Sequence, residues 1–516
     1  MTPGTTRTPG LTGTTGTTGT PSTTATAGTA AGAAAEEDWG RLVRLLDERG
    51  IVLRTTGDRL GYLAPPGALD EEAAGLVRAH RDRLLAVLTG SGAALSAAPA
   101  GLAQRRLYGT HRRSADPAVW NITQRITLRG PLDPERLAAA LTALTDRHES
   151  LRTRYRDTDL GVLQQVLPNT PTELPYDDLR ALAPAARDAA LAEAARAEGA
   201  LPFDLDGSRL LRARLLRSAD EVWVLLLTLH HIVVDGWSLA TLLGDLGALY
   251  HPTGPLPEPG RMTDHACWER TVVTPAAVAE ALDHWTGVLG GVPLEVALPT
   301  ARPRPEQRSG SGGTLGFRVP AALAEAVHRY AAGRSTTASA VLLAGYARLL
   351  GELTGAAETL VLLAHANRTR PIDERLVGLL TFGLPIRLPT RLPGGFAALV
   401  DAAATAVATA LDHATVPVGQ LVDQLRERGV RLPASYPQVQ LTLLSTPAVA
   451  LDLPGLTAEV EDVPGPSTRS DLLLVLIPDA DGYAGMVEYD ADLFEPATVR
   501  SWLDALLADL AGQLAD

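Results

Sequence analysis

The stretch that most limits what this chain can fold into is LHHIVVDGWS at residues 229–238. It places His230 and His231 at the end of an apolar run, with Asp235 and Gly236 a short distance further on. Histidine and aspartate are seldom found in a protein core without polar partners. A strand that ends in a tight Asp-Gly turn directs a side chain into a cleft, because glycine turns the backbone without steric cost. The stretch predicts either a buried polar staple, meaning hydrogen-bonded polar side chains with a structural role, or a reaction centre.

The residue types in this stretch favour proton transfer over nucleophilic catalysis. A neutral imidazole in a cleft can accept a proton from an attacking amine or hydroxyl near pH 7. We assign the predicted catalytic site to His231 together with His230, Asp235 and Gly236, although His230 fits a structural role equally well. A buried Asp235 needs a cation or several N–H donors, so we expect it to hold the loop. The chain has no Gly-x-Ser-x-Gly elbow and no His-Glu-x-x-His pair, so the substrate is predicted to bring its own activated acyl group.

The charge and composition exclude several classes of protein. A formal net charge of −13 argues against a nucleic-acid partner, since phosphate binding needs clustered cations. Cys267 is the single cysteine, which excludes a disulfide framework and a cysteine zinc cluster, and no metal site is predicted. No apolar run reaches the roughly 18 residues of a membrane span. Residues 1–35 lack the basic start and apolar core of a signal peptide. The single cysteine fits a cytoplasmic location.

Composition and periodicity divide the chain into segments. Residues 1–35 are a tract of Thr, Gly, Ala and Pro that is predicted to be a disordered tail. Residues 36–90 combine two helical patterns with two short strands around a Gly-Asp turn, and residues 91–99 are predicted to be a flexible linker. Strands and helices then alternate irregularly in two halves, 100–275 and 276–516, without the regular repeat of a doubly wound sheet. The predicted class is α/β in content, with mixed sheets in two lobes.

Three local signals mark individual elements. The run EVWVLLLTLHHIVV at residues 221–234 predicts a central strand that is apolar on both faces. Trp237 and Ser238 follow the Asp-Gly turn, and Ser238 is available as the cap of the next helix. Asp133-Pro134 predicts the start of another helix, because proline is well tolerated at the first helical position.

Several further motifs occur in one order along the chain. They are AQRRLY at 103–108, RHESLRTRY at 147–155, NRTRP at 367–371, VGLLTFGLPIRL at 377–388 and VEYDADLF at 487–494. Together with the stretch at 229–238, they resemble the motifs of the condensation domains of nonribosomal peptide synthetases. That family shares the chloramphenicol-acetyltransferase-like fold and the signature His-His-x-x-x-Asp-Gly. The resemblance covers the chain from about residue 100 to residue 515.

The resemblance implies two acetyltransferase-like lobes that form a V, with the active site between them. Donor and acceptor groups would arrive as phosphopantetheine thioesters on two carrier proteins, so the chain would bind no cofactor of its own. His231 would act as base or as positioner of the acceptor amine, which attacks the thioester and yields an amide and a free thiol. Asp235 would pair with Arg387, and Gly236 would leave the channel open. Trp237 and Ser238 would support the site at the start of the following helix.

One departure from the family concerns the acceptor side of the site. The usual Val-Asn-Thr is replaced by Thr381-Phe382-Gly383, so an aromatic ring takes the place of a polar group. Two alternatives therefore stay open. In the first, the chain is a free-standing acyltransferase that makes an ester or amide with a soluble acceptor. In the second, it is a catalytically degenerate domain that recruits partners.

Residues 36–90 resemble the small N-terminal docking domain of tubulysin-type assembly lines. The segment GIVLRTTGDRLGYLAPPGALDEE carries this resemblance. It implies capture of the C-terminal peptide of an upstream synthetase by addition of a strand to the hairpin edge. The arginines at positions 44, 49, 54 and 59 would receive an acidic peptide, or they form an ordinary solvated face.

Overall fold

Three β-sheets organise the chain, and two of them contain both parallel and antiparallel strand pairs. The computed structural model describes residues 24–515 apart from residues 91, 208, 292–293, 307, 434–435, 445–450, 466 and 480–481. The strands are β1 (Val52–Thr56), β2 (Arg59–Leu63), β3 (Ser96–Pro99), β4 (Asn121–Arg129), β5 (Thr153–Thr158), β6 (Gly161–Val166), β7 (Tyr176–Asp178), β8 (Leu211–Ala219), β9 (Val222–His230), β10 (Gly312–Val319), β11 (Glu358–His365), β12 (Phe382–Pro389), β13 (Val439–Leu443), β14 (Thr457–Val463), β15 (Leu472–Asp479) and β16 (Gly482–Asp490).

Helices make up most of the other residues that the structure describes. They are α1 (Thr24–Glu48), α2 (Glu71–Ala79), α3 (Arg81–Thr89), α4 (Leu102–Arg113), α5 (Pro134–Arg147), α6 (Pro184–Ala200), α7 (Gly236–Tyr250), α8 (Met262–Val272), α9 (Pro275–Leu289), α10 (Ala321–Gly333), α11 (Ala338–Thr354), α12 (Gly395–Asp412), α13 (Val418–Glu427) and α14 (Pro496–Gln513). Short 3-10 helices cover Pro117–Trp120, Glu149–Arg152, His231–Val233 and Asp373–Arg375.

The first lobe is built on a five-stranded sheet with the order β14-β4-β9-β8-β7. Every residue of β9 from Trp223 to His230 is buried, which confirms the predicted central strand that is apolar on both faces. Asp133 accepts hydrogen bonds from the backbone N–H groups of Glu135 and Arg136, so α5 begins as predicted. Helices α5 and α7 pack against each other and cover this part of the core.

The second lobe is built on a six-stranded sheet with the order β10-β16-β15-β13-β11-β12. Helices α10 to α14 pack on it and enclose a large apolar core. The prediction of mixed sheets in two lobes is confirmed. The two lobes are not fully separated at residue 275 as predicted, because β14, which comes from the second half of the chain, pairs with β4 of the first lobe. The two lobes therefore share a sheet.

The third sheet joins residues 36–90 to the first lobe, in the order β2-β1-β3-β6-β5. The strands β1 and β2 flank the Gly57-Asp58 turn as predicted. Residues 91–99 are not simply a flexible linker, because β3 pairs with β1 on one side and with β6 on the other. Ala97 and Ala98 are both buried, and because successive side chains point to opposite faces, both faces of β3 are covered. The N-terminal unit is thus attached to the first lobe through continuous strand pairing.

Helix α1 also differs from the prediction for the N-terminal tail. It begins at Thr24, so residues 24–35 are helical rather than disordered, while residues 1–23 lie outside the described residues. The sequence AGTAAGAAAEE supplies the reason, because alanine has the highest intrinsic helix propensity and the helix is already anchored by the buried Trp39 and Leu42.

Helix α12 is the one helix in the described residues with the length and apolar composition of a membrane span. Its buried residues recur at helical spacing along one face and belong to the core of the second lobe. They are Phe396, Leu399, Val400, Ala403 and Ala410. A stripe of this kind is typical of a core helix that is buried on one side.

Candidate active site

The His-His-x-x-x-Asp-Gly stretch connects the central strand β9 to helix α7. Strand β9 ends at His230, a 3-10 turn covers His231–Val233, and α7 begins at Gly236. Asp235 is the N-cap of α7, because its Oδ1 accepts hydrogen bonds from the backbone N–H and the hydroxyl of Ser238, at 2.9 and 2.8 Å. The expectation that Ser238 caps this helix is therefore wrong. Its hydroxyl instead joins Asp235 to the other lobe, since Oγ lies 2.9 Å from the carbonyl oxygen of Gly378.

Asp235 binds the second lobe through an arginine and three hydrogen-bond donors of one loop. Arg368 donates from Nη2 to Oδ1 at 2.8 Å and from Nη1 to Oδ2 at 3.1 Å. The N–H groups of Leu380 and Thr381 and the Thr381 hydroxyl donate to Oδ2 at 3.1, 3.2 and 3.0 Å. Burial acts to raise the pKa of Asp235, but Arg368 and the donated hydrogen bonds outweigh it and hold the pKa below its usual range. The carboxylate stays charged and ties the lobes together.

The predicted partner of Asp235, Arg387, is the wrong arginine. Arg387 donates to Glu358 at 2.6 Å and to the carbonyl oxygen of Val288 at 3.2 Å. It lies six residues along the chain from Thr381, a separation of about 20 Å in an extended strand, and so it cannot reach the Asp235 carboxylate. The signal for the correct residue was present in the motif NRTRP, where Arg368 precedes the loop that Asp235 binds.

His231 has one ring nitrogen bonded and the other available. Its Nδ1 lies 2.7 Å from the carbonyl oxygen of Val234, so Nδ1 carries the proton and donates it. No described residue makes a hydrogen bond to Nε2, whose lone pair is therefore directed away from the loop. Burial, with the positive charge of Arg469 as the next cause, lowers the pKa of His231 to about 4. The ring is partly exposed and neutral at pH 7, which suits a hydrogen-bond or proton acceptor.

His230 is a structural residue and does not lie with His231 at the cleft. It has no exposed surface, and its Nδ1 accepts from the backbone N–H of Ile232 at 3.1 Å. Its Nε2 consequently donates to Nδ1 of His111, 3.1 Å away, and Phe203 packs edge-on against the ring. The predicted catalytic assignment of His230 is contradicted by this burial. Of the two roles left open for it, the buried polar staple is the one the structure bears out.

The remaining predicted residues line or brace the junction of the lobes. A Cβ atom on Gly236 would lie 2.9 Å from Cδ2 of Leu444, so any larger residue at this position must displace the Leu444 side chain of the second lobe. The Trp237 indole donates to the carbonyl oxygen of Glu374 at 2.9 Å and adds another link between lobes. Phe382 begins β12 next to the Asp235-binding loop, with its ring 5.3 Å from that of His365 in an edge-to-face contact.

Sequence reasoning missed two residues beside His231. The Trp120 ring lies 6.5 Å from the His231 ring, and the guanidinium carbon of Arg469 lies 4.8 Å from the centre of the Trp120 ring. Neither belongs to a motif noticed in the sequence, and they stand more than 300 positions apart along the 516-residue chain. Within the described residues, no group of three or more His, Cys, Asp or Glu side chains is arranged to hold a metal ion.

Comparison with known families decides which kind of site this is. The family model for the condensation domain matches residues 96–516, and that for the TubC N-terminal docking domain matches residues 41–89. The chain belongs to the condensation-domain family. Such domains in nonribosomal peptide synthetases form the amide bond between carrier-bound substrates. The histidine motif, the lobe-bridging Asp235 and the attached N-terminal unit are thus parts of a condensation domain that carries a docking domain.

Curated relatives and solved structures agree with this assignment. The condensation domain is 33% identical over 433 residues to chondramide synthase cmdD of Chondromyces crocatus, a match that covers 81% of this chain and 11% of that protein. It is 33% identical over 426 residues to phosphinothricin tripeptide synthetase PhsC of Streptomyces viridochromogenes, covering 81% and 39%. This chain therefore spans well under half the length of these relatives.

This chain matches several solved structures of the same fold over nearly the whole length of those structures. The X-domain from teicoplanin biosynthesis superposes with a TM-score of 0.70 at 25% identity, covering 81% of this chain and 95% of that one. The condensation domain from the monacolin K polyketide synthase MokA superposes with a TM-score of 0.71 at 20% identity, covering 82% and 98%. The predicted chloramphenicol-acetyltransferase-like fold is confirmed.

Proposed function

We propose that this condensation domain forms an amide bond between a donor acyl or aminoacyl thioester and an acceptor amine, both carried on phosphopantetheinyl carrier proteins. The observation that supports this most directly is the state of His231. Its Nδ1 is fixed by the carbonyl oxygen of Val234 at 2.7 Å, and its Nε2 has no partner in the described part of the chain. A neutral ring held in one tautomer at the junction of two lobes is suited to receive an amine N–H.

The chemistry assigns His231 a sequence of two roles. A pKa of about 4 makes the ring too weak a base to deprotonate a free ammonium group, so Nε2 first accepts a hydrogen bond from the neutral amine and orients it. The amine lone pair attacks the thioester carbon, and the nitrogen becomes strongly acidic as the C–N bond forms. Its proton then leaves through Nε2, the C–S bond breaks, and the departing sulfur takes up a proton to give the thiol.

Carrier proteins supply the cofactor in this proposal. Phosphopantetheine arrives covalently attached to them, and the condensation domain itself holds neither cofactor nor metal. Phe382 lies on the acceptor side, where its partly exposed ring packs edge-to-face against that of His365 and faces the incoming amine. The proposed location is the cytoplasm, where these carrier proteins and their thioesters would be available.

The docking domain receives an upstream synthetase at the free edge of the third sheet. Strand β1 is paired on both sides, so β2 is the strand that presents an open edge for an added peptide strand. Arg49 and Arg54 are engaged by acidic partners, Arg49 by Asp70 and Glu72 and Arg54 by Asp264. Arg44 and Arg59 have no ion pair within the described residues, and they are the arginines proposed to meet an acidic peptide.

The test is intact-mass measurement of the acceptor carrier protein after mixing it with a loaded donor carrier. A panel of aminoacyl-loaded carriers serves as substrates, with wild type, His231→Ala and His251→Ala compared. Wild type and His251→Ala, whose histidine is exposed at the end of α7, should add the donor mass to the acceptor, and His231→Ala should not. Equal product from wild type and His231→Ala would refute the role given to His231.

A specific observation keeps a second function in view. The X-domain from teicoplanin biosynthesis is also known in complex with OxyB, and that structure is 26% identical to this chain with a TM-score of 0.69. A domain of this fold can therefore serve to recruit a partner. Absence of product over the whole panel, and with free amines and alcohols as acceptors, would favour recruitment. Product only with free acceptors would favour an acyltransferase acting on a soluble substrate.

A further inference from the structure

Arg469 from the second lobe reaches the same spot as His231 from the first. Arg469 lies just before β15, and its guanidinium carbon is 4.8 Å from the centre of the Trp120 ring. Trp120 ends a 3-10 helix of the first lobe, and its ring is 6.5 Å from that of His231. The cation is thus held on an aromatic face beside the catalytic imidazole, and it crosses the boundary between lobes to get there.

This guanidinium has no acceptor within hydrogen-bond distance among the described residues. The one hydrogen bond at Arg469 involves its backbone carbonyl oxygen, which accepts from Arg308 at 2.9 Å. Glu488 on β16 is the acidic residue whose charge acts on Arg469, yet the two side chains form no ion pair within the described residues. A partly buried cation is costly unless something pairs with it, so an unpaired guanidinium beside a reactive group indicates a ligand that carries negative charge.

A second donor at the same place has the same property. The indole N–H of Trp120 is buried and has no hydrogen-bond partner in the part of the chain that the structure describes. Buried donors are paired in nearly all native structures, so an orphan donor next to an unpaired guanidinium requires an explanation. The guanidinium and the indole N–H thus lie at one place beside His231 without acceptors among the described residues, as the donors of an oxyanion site do before the ligand arrives.

The backbone that carries both groups is held in place from both lobes. The Ser467 hydroxyl donates to Oδ2 of Asp116 at 2.6 Å, and Oδ1 of Asp116 accepts from the N–H of Ala118 at 3.0 Å. Asp116 precedes the turn that ends in Trp120, and Ser467 stands two residues before Arg469. The two groups therefore need little reorganisation when charge develops near them, which is the condition for strong electrostatic stabilisation.

We propose that Arg469 is a catalytic residue that stabilises the negative charge on the carbonyl oxygen of the donor thioester in the tetrahedral intermediate, with Trp120 holding the guanidinium in position. This inference rests on the proposed function. As the amine nitrogen bonds to the carbonyl carbon, the C=O π electron pair moves to oxygen, which becomes an oxyanion next to the guanidinium. The pair returns to re-form C=O as the C–S bond breaks, and the sulfur leaves with a proton as thiol.

The same charge also tunes His231. Asp235 and Arg469 are the charged groups that act on the ring, and Arg469 opposes a second positive charge there. Glu488 is the charged group that acts on the guanidinium. Burial raises the pKa of Glu488, and the positive charge of Arg469 offsets only part of that rise. Arg469 thus keeps His231 neutral and able to accept the amine proton, in addition to its effect on the oxyanion.

The experiment measures kcat, KM and the pH profile of kcat for wild type, Arg469→Gln and Arg469→Lys. Arg469→Gln should lower kcat by about 100-fold with little change in KM, as for loss of an oxyanion-binding donor, and should move the acid limb of the profile to higher pH. Arg469→Lys keeps the charge, so its kcat should lie between the two and its acid limb should stay where it is in wild type. If Arg469 had a merely structural role, its substitution would not shift the acid limb of the pH profile.

Arg217→Gln is the matched control, because Arg217 also stacks on a tryptophan, with its guanidinium 4.6 Å from the Trp223 ring. Arg217 lies on β8 opposite Trp223, and Trp223 is about 23 Å along β9 from His230, counted at the usual rise per residue, so the substitution should leave kcat unchanged. Equal kcat and equal pH profiles in wild type, Lys and Gln variants would overturn the role of Arg469. If Arg469→Gln melts at a much lower temperature than wild type, the comparison of Arg469→Lys with wild type becomes the test. A kcat of Arg469→Lys equal to that of wild type would then overturn the role of Arg469. Failure of wild type itself to form an amide would instead reject the proposed function.

Discussion

Arg368 of the second lobe holds Asp235 of the first through two hydrogen bonds, of 2.8 and 3.1 Å, in an ion pair that is almost completely buried. The same carboxylate caps α7 and accepts from the loop at Thr381. One side chain therefore sets the start of the helix that follows His231 and the position of the opposite lobe. The site exists only where the two lobes meet, and this pair fixes where they meet.

Breaking this ion pair should destabilise the protein strongly. Asp235→Asn removes the charge and leaves Arg368 buried without a counterion, so we expect a loss of about 3–5 kcal/mol in the free energy of unfolding. Urea denaturation measures the change. Arg387→Met is the matched control, because its partner Glu358 is about half exposed and such pairs contribute less than about 1 kcal/mol. An equal effect of the two substitutions would contradict the assignment of Arg368 as the partner.

The rate of amide formation should depend on pH through His231. Only the neutral ring accepts a proton, and burial lowers its pKa to about 4. The rate should therefore stay level as the pH falls through about 6.5, where an ordinary histidine gains its proton, and should drop only as the pH approaches about 4. Single-turnover rates with a carrier-bound acceptor give the profile, after division by the fraction of neutral acceptor amine. An acid limb centred near the ordinary histidine value would show that the ring is solvated.

Adding a methyl group at Gly236 should impair catalysis more than stability. In Gly236→Ala the new Cβ would lie 2.9 Å from Cδ2 of Leu444, so the Leu444 side chain must move beside the site. We expect a fall in kcat of about 10-fold or more, since misplacement by an ångström is costly in catalysis. Gly244→Ala, in the same helix with nothing within 4 Å of its Cβ, should keep full activity. Comparable activities in the two variants would argue against a tight approach at Gly236.

Interrupting β3 should separate the docking domain from the first lobe. Ala97 is opposite Thr55 on β1 and opposite Gln165 on β6, so it sits in the middle of three paired strands. Ala97→Pro removes a backbone donor in a sheet interior, and amide hydrogen exchange should accelerate in β1 and β6. Ala93→Pro, in the exposed turn just before, should leave both strands protected. Unchanged protection in Ala97→Pro would mean that other contacts hold the unit.

Much of the fold could be predicted because its signals are local. The apolar run before His231 predicted β9, and Asp133-Pro134 predicted the start of α5. Both depend on side-chain periodicity and capping, which involve residues close together in the chain. The prediction that residues 91–99 form a flexible linker was wrong because it, too, used only local signals. Small residues resemble a linker locally, and pairing of β3 with β1 and β6 becomes visible only when the distant strand β6 is placed beside it.

The sequence by itself determined that an imidazole follows a buried strand, that an aspartate and a glycine make the turn after it, and that two α/β lobes carry the chain. Tertiary structure alone decided that Arg368 rather than Arg387 reaches Asp235, that His230 is buried, and that Arg469 lies on Trp120 beside His231. The physical reason is the range of the interactions. Strand periodicity and helix caps act over a few residues, whereas the partner of a buried charge is chosen by how two separately formed lobes pack.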